Sequence, residues 1–262
     1  GTNNQRRRFS PIQYVGTTEV ARGSEGRFID KPSLAVFPAR HGTCLMDGEV
    51  VPATNVYVAW TEFLGHGPNR PSKVYFARSS DCGATFPKPH IKLSEGGSLG
   101  QGTAIAINPK NPDEIYVVWR QVRNDRELDA LLYARSWDGG RRFTKPEPIP
   151  GFAEGQFAPF DQNTTSTSVG SATTTFRTIA YPTLAFADDG YLYMAVSQVP
   201  GGPTGTLGGR QARITITRTN GKAWMPPVFA VPFDANGQQF MPALSYAAGR
   251  LQLIWYDVRF DE

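Results

Sequence analysis

Apolar and polar residues alternate along this chain in short runs, and the runs recur in a fixed order. Residues 33–37, 55–61, 73–78 and 90–93 alternate in this way and are rich in β-branched and aromatic side chains, so each is predicted as a strand. The same order returns at 103–107, 114–119 and 130–135, and again at 182–186, 191–196 and 212–217. It begins a last time at 242–246 and 250–256. Trp60, Trp119, Val196 and Trp255 occupy one equivalent position, the end of each second strand. No stretch shows the periodicity of a long amphipathic helix.

The third strand of each complete unit runs into a turn of recurring composition. Ser79-Ser80-Asp81-Cys82-Gly83-Ala84-Thr85-Phe86 is followed by prolines, and Ser136-Trp137-Asp138-Gly139-Gly140-Arg141-Arg142-Phe143 repeats its spacing. A degenerate copy, Thr217-Arg218-Thr219-Asn220-Gly221-Lys222-Ala223-Trp224, keeps Gly221 and Trp224 but has Thr219 where the Asp should be. Glycine supplies the positive φ that a tight hairpin needs. A Ser and an Asp two residues apart fold their oxygens back onto the turn's own amides. Asp81 and Asp138 are therefore expected to be structural, with Phe86, Phe143 and Trp224 packed beneath the hairpins. Residues 151–177, rich in Thr, Ser and Gly, read as an inserted surface loop.

Tandem units of four antiparallel strands predict an all-β fold, a β-propeller of four-stranded blades. Residues 1–27 form an N-terminal tail with a candidate ring-closing strand at 11–15, and 28–262 form about three and a half blades. That is an incomplete ring, expected to belong to a ring of six or more blades closed by the rest of a longer chain or by a second copy.

Composition changes this picture little. The 27 Gly and 21 Pro among 262 residues are spread along the chain, as many tight turns require. The net charge is +4, and Arg6, Arg7 and Arg8 of the tail supply most of it, so no nucleic-acid footprint is expected. No apolar run approaches the ~20 residues of a membrane span. His41, His66 and His90 lie far apart, and two cysteines are too few for a metal site, so neither a metal nor a cofactor is expected. Asn163-Thr164-Thr165 is a glycosylation sequon of the kind common by chance. Cys44 lies in the first-to-second strand connection and Cys82 in the turn after the third strand. Both loops fall on one face, about 10 Å apart, so a disulfide requires the first loop to bend across. A bond is expected if the protein is exported and two thiols if it is not.

The octapeptides resemble the Asp-box, or bacterial neuraminidase repeat, Ser/Thr-x-Asp-x-Gly-x-Thr-Trp/Phe. The frame around them is similar to the sialidase-like propellers, from the opening Asp30-Lys31-Pro32 to the ending Trp255-Tyr256-Asp257-Val258-Arg259. The resemblance implies a secreted or periplasmic protein. It also implies that the loops after second strands and before first strands surround a central funnel, on the face away from the Asp-boxes. Asp30, Lys31, Glu62, Gln101, Arg120, Arg177, Tyr181, Gln239, Asp257 and Arg259 are the candidate funnel residues.

A sialidase needs three arginines around a carboxylate, a Tyr nucleophile with a Glu beside it, and an Asp acid/base. Such a protein opens its first blade with Arg-Ile-Pro, and here Asp30 replaces that arginine. Arg120, Arg177 and Arg259 are the residues expected to grip an anionic sugar, because a guanidinium binds a carboxylate with two hydrogen bonds. Asp30, Glu62 and Asp257 beside them would be held ionised, which suits accepting hydrogen bonds better than donating a proton. The expected function is thus recognition of a glycan or protein surface. The alternative is part of a glycoside hydrolase of exo-sialidase type acting on acidic sugars.

Overall fold

A computed structural model of the chain describes residues 14, 16–66, 70–96, 99–122, 129–153, 156–169, 172–200, 211–231 and 237–258. Those residues hold strands and no helix. The first sheet orders β1 (Arg27–Met46), β2 (Glu49–Leu64), β3 (Ser72–Ser79) and β4 (Ile91–Lys92) side by side, all antiparallel. The second repeats this with β5 (Leu99–Asn108), β6 (Asn111–Val122), β7 (Ala130–Ser136) and β8 (Glu147–Pro148). After an intervening ribbon of β9 (Gln162–Val169) and β10 (Ala172–Thr178), the third sheet has β11 (Thr183–Phe186), β12 (Leu192–Gln198), β13 (Arg213–Thr219) and β14 (Val228–Phe229). A last pair, β15 (Gln239–Ala247) and β16 (Arg250–Asp257), stands where a fourth sheet begins. The outermost strands are two residues long because prolines flank or occupy them and cannot donate to a ladder.

The sheets pack face to face as blades of a β-propeller, and alternation within each strand divides its side chains between two neighbours. Tyr57 and Ala59 of β2 pack with Ile115, Val117 and Trp119 of β6, against which Ile105 and Ile107 of β5 also lie. Val118 of β6 turns the other way, onto Met194 and Val196 of β12. Ala195 in turn meets Leu244 of β15, with Leu253 and Trp255 of β16 alongside. A fully buried Trp or Leu contributes on the order of 1.5–3 kcal/mol, so these repeated interfaces are the main source of cohesion.

Two hydroxyls repeat a tie between blades. Thr61 Oγ1 donates to the Gly100 carbonyl at 3.1 Å, and Ser197 Oγ donates to the equivalent carbonyl, that of Gln239, at 2.6 Å. The two ends of the arc lack such cover. Leu34 of β1 is 65% exposed and Ile254 of β16 is 71% exposed, whereas Leu244, in the same repeat position as Leu34, is 8% exposed against β11–β14.

Two expectations are corrected. First, the strands are longer than the alternation indicates: β1 covers 27–46, not 33–37, because bulges between Asp30 and Ser33 and between Pro38 and Thr43 interrupt the period. Second, residues 151–177 are not a surface loop. Phe152, Phe157, Ala158 and Phe160 are buried, Phe152 and Phe157 against Val118, Leu131, Met194 and Val196. The Thr-rich remainder pairs as β9 and β10, in keeping with the strand preference of β-branched residues. Of the candidate strand at 11–15, only Tyr14 is described; it is exposed and in no strand.

Candidate functional site

Strand register separates the two ends of each blade. In the first, Asp30 pairs with Thr61 and Thr61 with Val74, while five to six residues further on Val36 pairs with Val56 and Val56 with Ser79. The Asp81 turn therefore lies at the opposite end from Lys31.

At the Asp81 end, carboxylates close hairpins. Asp81 Oδ1 accepts from Ser79 Oγ at 2.5 Å and from the Thr85 N–H at 3.0 Å, and Oδ2 accepts from Thr85 Oγ1 at 2.6 Å. Asp138 Oδ1 accepts from Ser136 Oγ at 2.9 Å and from the N–H groups of Arg141 and Arg142 at 3.0 and 2.9 Å, with Arg142 Nε on Oδ2 at 3.0 Å. Partial burial pushes the Asp138 carboxyl up, but these donors together outweigh it and hold it at about 2. The Ser79 and Ser136 hydroxyls also receive the N–H of Gly83 and Gly140, each at 2.9 Å. In the third hairpin the Thr219 hydroxyl stands in for the carboxylate, accepting from the Gly221 N–H and donating to the Ala223 carbonyl, while Thr217 Oγ1 donates to the Met225 carbonyl.

The hairpin aromatics reach further than expected. Phe86 joins its own blade's Val58–Trp60 cluster, but Phe143 meets Phe76 of the preceding blade at 4.7 Å between centroids, and Trp224 meets Tyr133 of the preceding blade at 5.6 Å. Cys44 and Cys82 form a disulfide with Cα atoms 6.1 Å apart. The β1–β2 tip bends across at the Pro38–Thr43 irregularity, and the Cys82 N–H bonds the Thr54 carbonyl at 3.1 Å.

At the opposite end, equivalent bulges in β1, β5 and β15 each hold one residue at positive φ: Lys31 at 53°, Gly102 at 66° and Met241 at 50°. Tyr181 fills the corresponding place before β11. Its ring lies directly on the Gly102 backbone, its hydroxyl donates to Gln101 Oε1 at 2.9 Å, and Lys31 Nζ stands 5.8 Å from the ring centroid. Lys31, Tyr181 and Met241 border an open cleft of about 390 Å³, lined also by Ile179, Pro182 and Pro242, with Gln101 behind the Tyr181 hydroxyl.

The other candidates are arranged differently. Arg120 is buried, its Nε on Asp129 Oδ2 at 2.5 Å and its second nitrogen on Asp161 Oδ2 at 2.6 Å. Burial works against its charge, but the two aspartates outweigh burial and push Arg120 up. It is a member of an internal ion triad rather than an exposed clamp. Glu62 is likewise buried, with Arg27 donating to its two oxygens at 2.9 and 2.8 Å. Asp30 Oδ1 accepts the N–H of Lys31 at 2.8 Å. Asp257 Oδ2 accepts from Trp255 Nε1 at 2.9 Å and from the buried Gln239 at 3.3 Å. Arg177 lies in β10, its side chain outside what is described, and Arg259 lies outside the described residues.

Asp129 and Asp161 were not singled out by sequence. Asp161, with 39% of its side chain exposed, also accepts the Ala180 N–H at 2.8 Å, between cleft-lining Ile179 and Tyr181. The spacing of Phe157 and Phe160 just before it was the available sign that this segment enters the core. Among the described residues, no group of three or more His, Cys, Asp and Glu could hold a metal ion. No described helix is long and apolar enough to cross a membrane, which says nothing of β-barrels.

No protein-family model and no curated protein matches the sequence. Solved structures do match. A protein of unknown function from Dyadobacter fermentans superposes with TM-score 0.56 at 12% identity over 91% of this chain and 64% of its own. The Hadza microbial sialidase Hz136 superposes with TM-score 0.50 at 16% identity over 78% of this chain and 40% of its own. At these identities the likeness is one of fold, and the chain spans 64% and 40% of the two structures' lengths, less than two thirds of either.

Proposed function

We propose that this chain is a carbohydrate-recognising propeller module of a secreted protein, with the cleft at Lys31, Gln101, Tyr181 and Met241 as its binding site. The observation that carries this reading is the Tyr181 group. An aromatic ring, an ammonium and a side-chain amide converge from three blades beside two prolines. Flat apolar faces stack on the C–H face of a sugar while a few polar groups fix its hydroxyls. The charges expected to do chemistry are already spent on internal partners, Arg120 on two aspartates and Glu62 on Arg27. A fold shared with a microbial sialidase makes glycans the first ligand class to test. The Cys44–Cys82 bond supports export to an oxidising compartment.

A second reading, a glycoside hydrolase acting on acidic sugars, is favoured by one observation: the partly exposed Asp161 beside the cleft. A glycan array and a fluorogenic sialoside assay separate the two. Glycan binding that falls at least tenfold in Tyr181→Ala and Lys31→Ala, without turnover, is expected. Binding unchanged by both substitutions overturns the site, and turnover abolished by Asp161→Asn establishes the hydrolase.

A further inference from the structure

A second cleft lies at the opposite end of the blades, on the rim between the first two. It encloses about 410 Å³ and is bordered by Phe76, Arg78, Pro87, Pro89 and His90 of the first blade and by Gly140 and Arg141 of the second. None of its residues belongs to the Tyr181 cleft.

Its walls and its charges have different origins. The Pro87–Pro89 segment that leads from the Asp-box into β4 supplies rigid apolar faces, and Phe76 with Ile91 completes them. The two guanidiniums come from different blades. Arg141 sits on the tip of the second Asp-box, where Nη1 donates to the Asp138 carbonyl at 2.8 Å. Arg78 is the penultimate residue of β3, and its guanidinium has no hydrogen-bond or ion-pair partner among the described residues.

Among the described residues, no carboxylate lines the cleft. The acids close by in the chain are engaged: Asp81 by Ser79 and Thr85, Asp138 by Ser136 and Arg142, and Asp113, which abuts Gly139, by Arg40 at 3.0 Å. The ring of His90 stands edge-on to Trp60 at 5.0 Å, and its buried Nε2 has no hydrogen-bond partner among the described residues.

The cleft is also held rigidly. Gly140 packs on the Phe76 ring so closely that a Cβ would stand 2.9 Å from it, and the disulfide anchors the first hairpin at Cys82. The site thus exists before any ligand arrives, which lowers the ordering cost of binding.

We propose that this rim cleft is a second saccharide site, taking one anionic sugar residue. The volume suits one or two pyranose rings. A planar guanidinium grips an oxyanion with paired hydrogen bonds, whether a sulfate ester or a carboxylate bears it. The prolines face the sugar's C–H surface.

The test uses the full chain with four probes: a sulfated disaccharide, a galacturonate disaccharide, inorganic sulfate and an oligoglutamate peptide. Affinities are read by calorimetry and the site by NMR shift mapping. At least one of the two saccharides is expected to bind saturably, and comparison of the two identifies the oxyanion. Arg78→Ala and Arg141→Ala should each weaken it at least tenfold, and Arg78→Lys less. Tyr181→Ala should leave it unchanged, which separates this site from the Tyr181 cleft. Three results overturn the proposal: neither saccharide binds, inorganic sulfate or the peptide binds as tightly as the better saccharide, or binding survives both arginine substitutions. Circular dichroism of each variant confirms that a loss is not one of folding.

Discussion

Tyr181 lies flat against the backbone of Gly102: a Cβ built at Gly102 would stand 2.0 Å from Tyr181 Cδ1. The two residues belong to successive blades, and the glycine holds φ at 66°, where a side chain is also strained. Gly102→Ala should therefore expel the ring from the cleft. The expected result is loss of the Tyr181-dependent glycan binding together with destabilisation of about 1–3 kcal/mol. Thermal unfolding and the glycan array measure the two effects on one protein. Wild-type binding by a folded Gly102→Ala variant would show that the ring is not part of the site.

Asp138 predicts a pH dependence. Its folded-state value of about 2 lies below the ~3.9 of an unfolded aspartate, so the folded state favours the ionised form. The stabilisation is complete above the unfolded value and is lost as pH falls from near 5 towards 2. Discounted for its partial exposure, it is worth on the order of 1–2 kcal/mol. Asp138→Ala should lower stability by that amount at pH 7 and by much less at pH 2. Urea midpoints at the two values decide; an equal penalty at both would mean that the hairpin does not depend on the charge.

The disulfide closes a loop with a sequence separation of 38 residues. Chain entropy gives such a crosslink about 3–4 kcal/mol. Cys44→Ser with Cys82→Ser should lower the melting midpoint by roughly 6–12 °C. Reductant should reproduce the shift in the wild type and have no effect on the double variant. Two free thiols in the unfolded wild type without reductant would exclude the bond.

Arg120 neutralises Asp129 inside the protein, so removing it is expected to be severe. Arg120→Ala removes the buried cation that Asp129 and Asp161 share and should cost about 3–5 kcal/mol. Arg27→Ala removes a cation that is half exposed, so that water can reach the Glu62 carboxylate, and the loss there should be smaller than at Arg120. Comparable melting losses for the two would argue against the triad as a fixed internal element.

Leu34 and Leu244 occupy one repeat position in different surroundings. Leu244→Ala should cost about 2–5 kcal/mol, because it empties a packed interface. Leu34→Ala, at a site 65% exposed, should stay within about 0.5 kcal/mol. A large loss at Leu34 would show that this face is covered in solution.

The blade pattern was legible because it is local. Alternation, β-branched enrichment and glycine in turns act within a few residues, so the three recurring hairpin turns and most first, second and third strands could be read directly. The same holds for the structural use of Asp81 and Asp138, whose donors lie within four residues. Residues 151–177 were misread because the spacing of Phe157 and Phe160 is a faint sign without a repeating period, and the burial of Phe152 and Phe157 depends on side chains of β6, β7 and β12.

The candidate site divides along the same line. By sequence alone, Lys31, Gln101 and Tyr181 could be grouped at one end of the blades, because each falls just before a predicted first strand. Only the tertiary structure decided that Tyr181 leans on Gly102 and reaches Gln101, since that contact joins residues 80 apart in the chain. Arg120 makes the point most sharply. Position marked it as a funnel arginine, but whether a guanidinium faces a ligand or an internal acid depends on where other carboxylates arrive. Asp161 is brought to it by a segment whose fold the local pattern did not encode. Local preference sets strands and turns, whereas the pairing of charges is set by long-range packing.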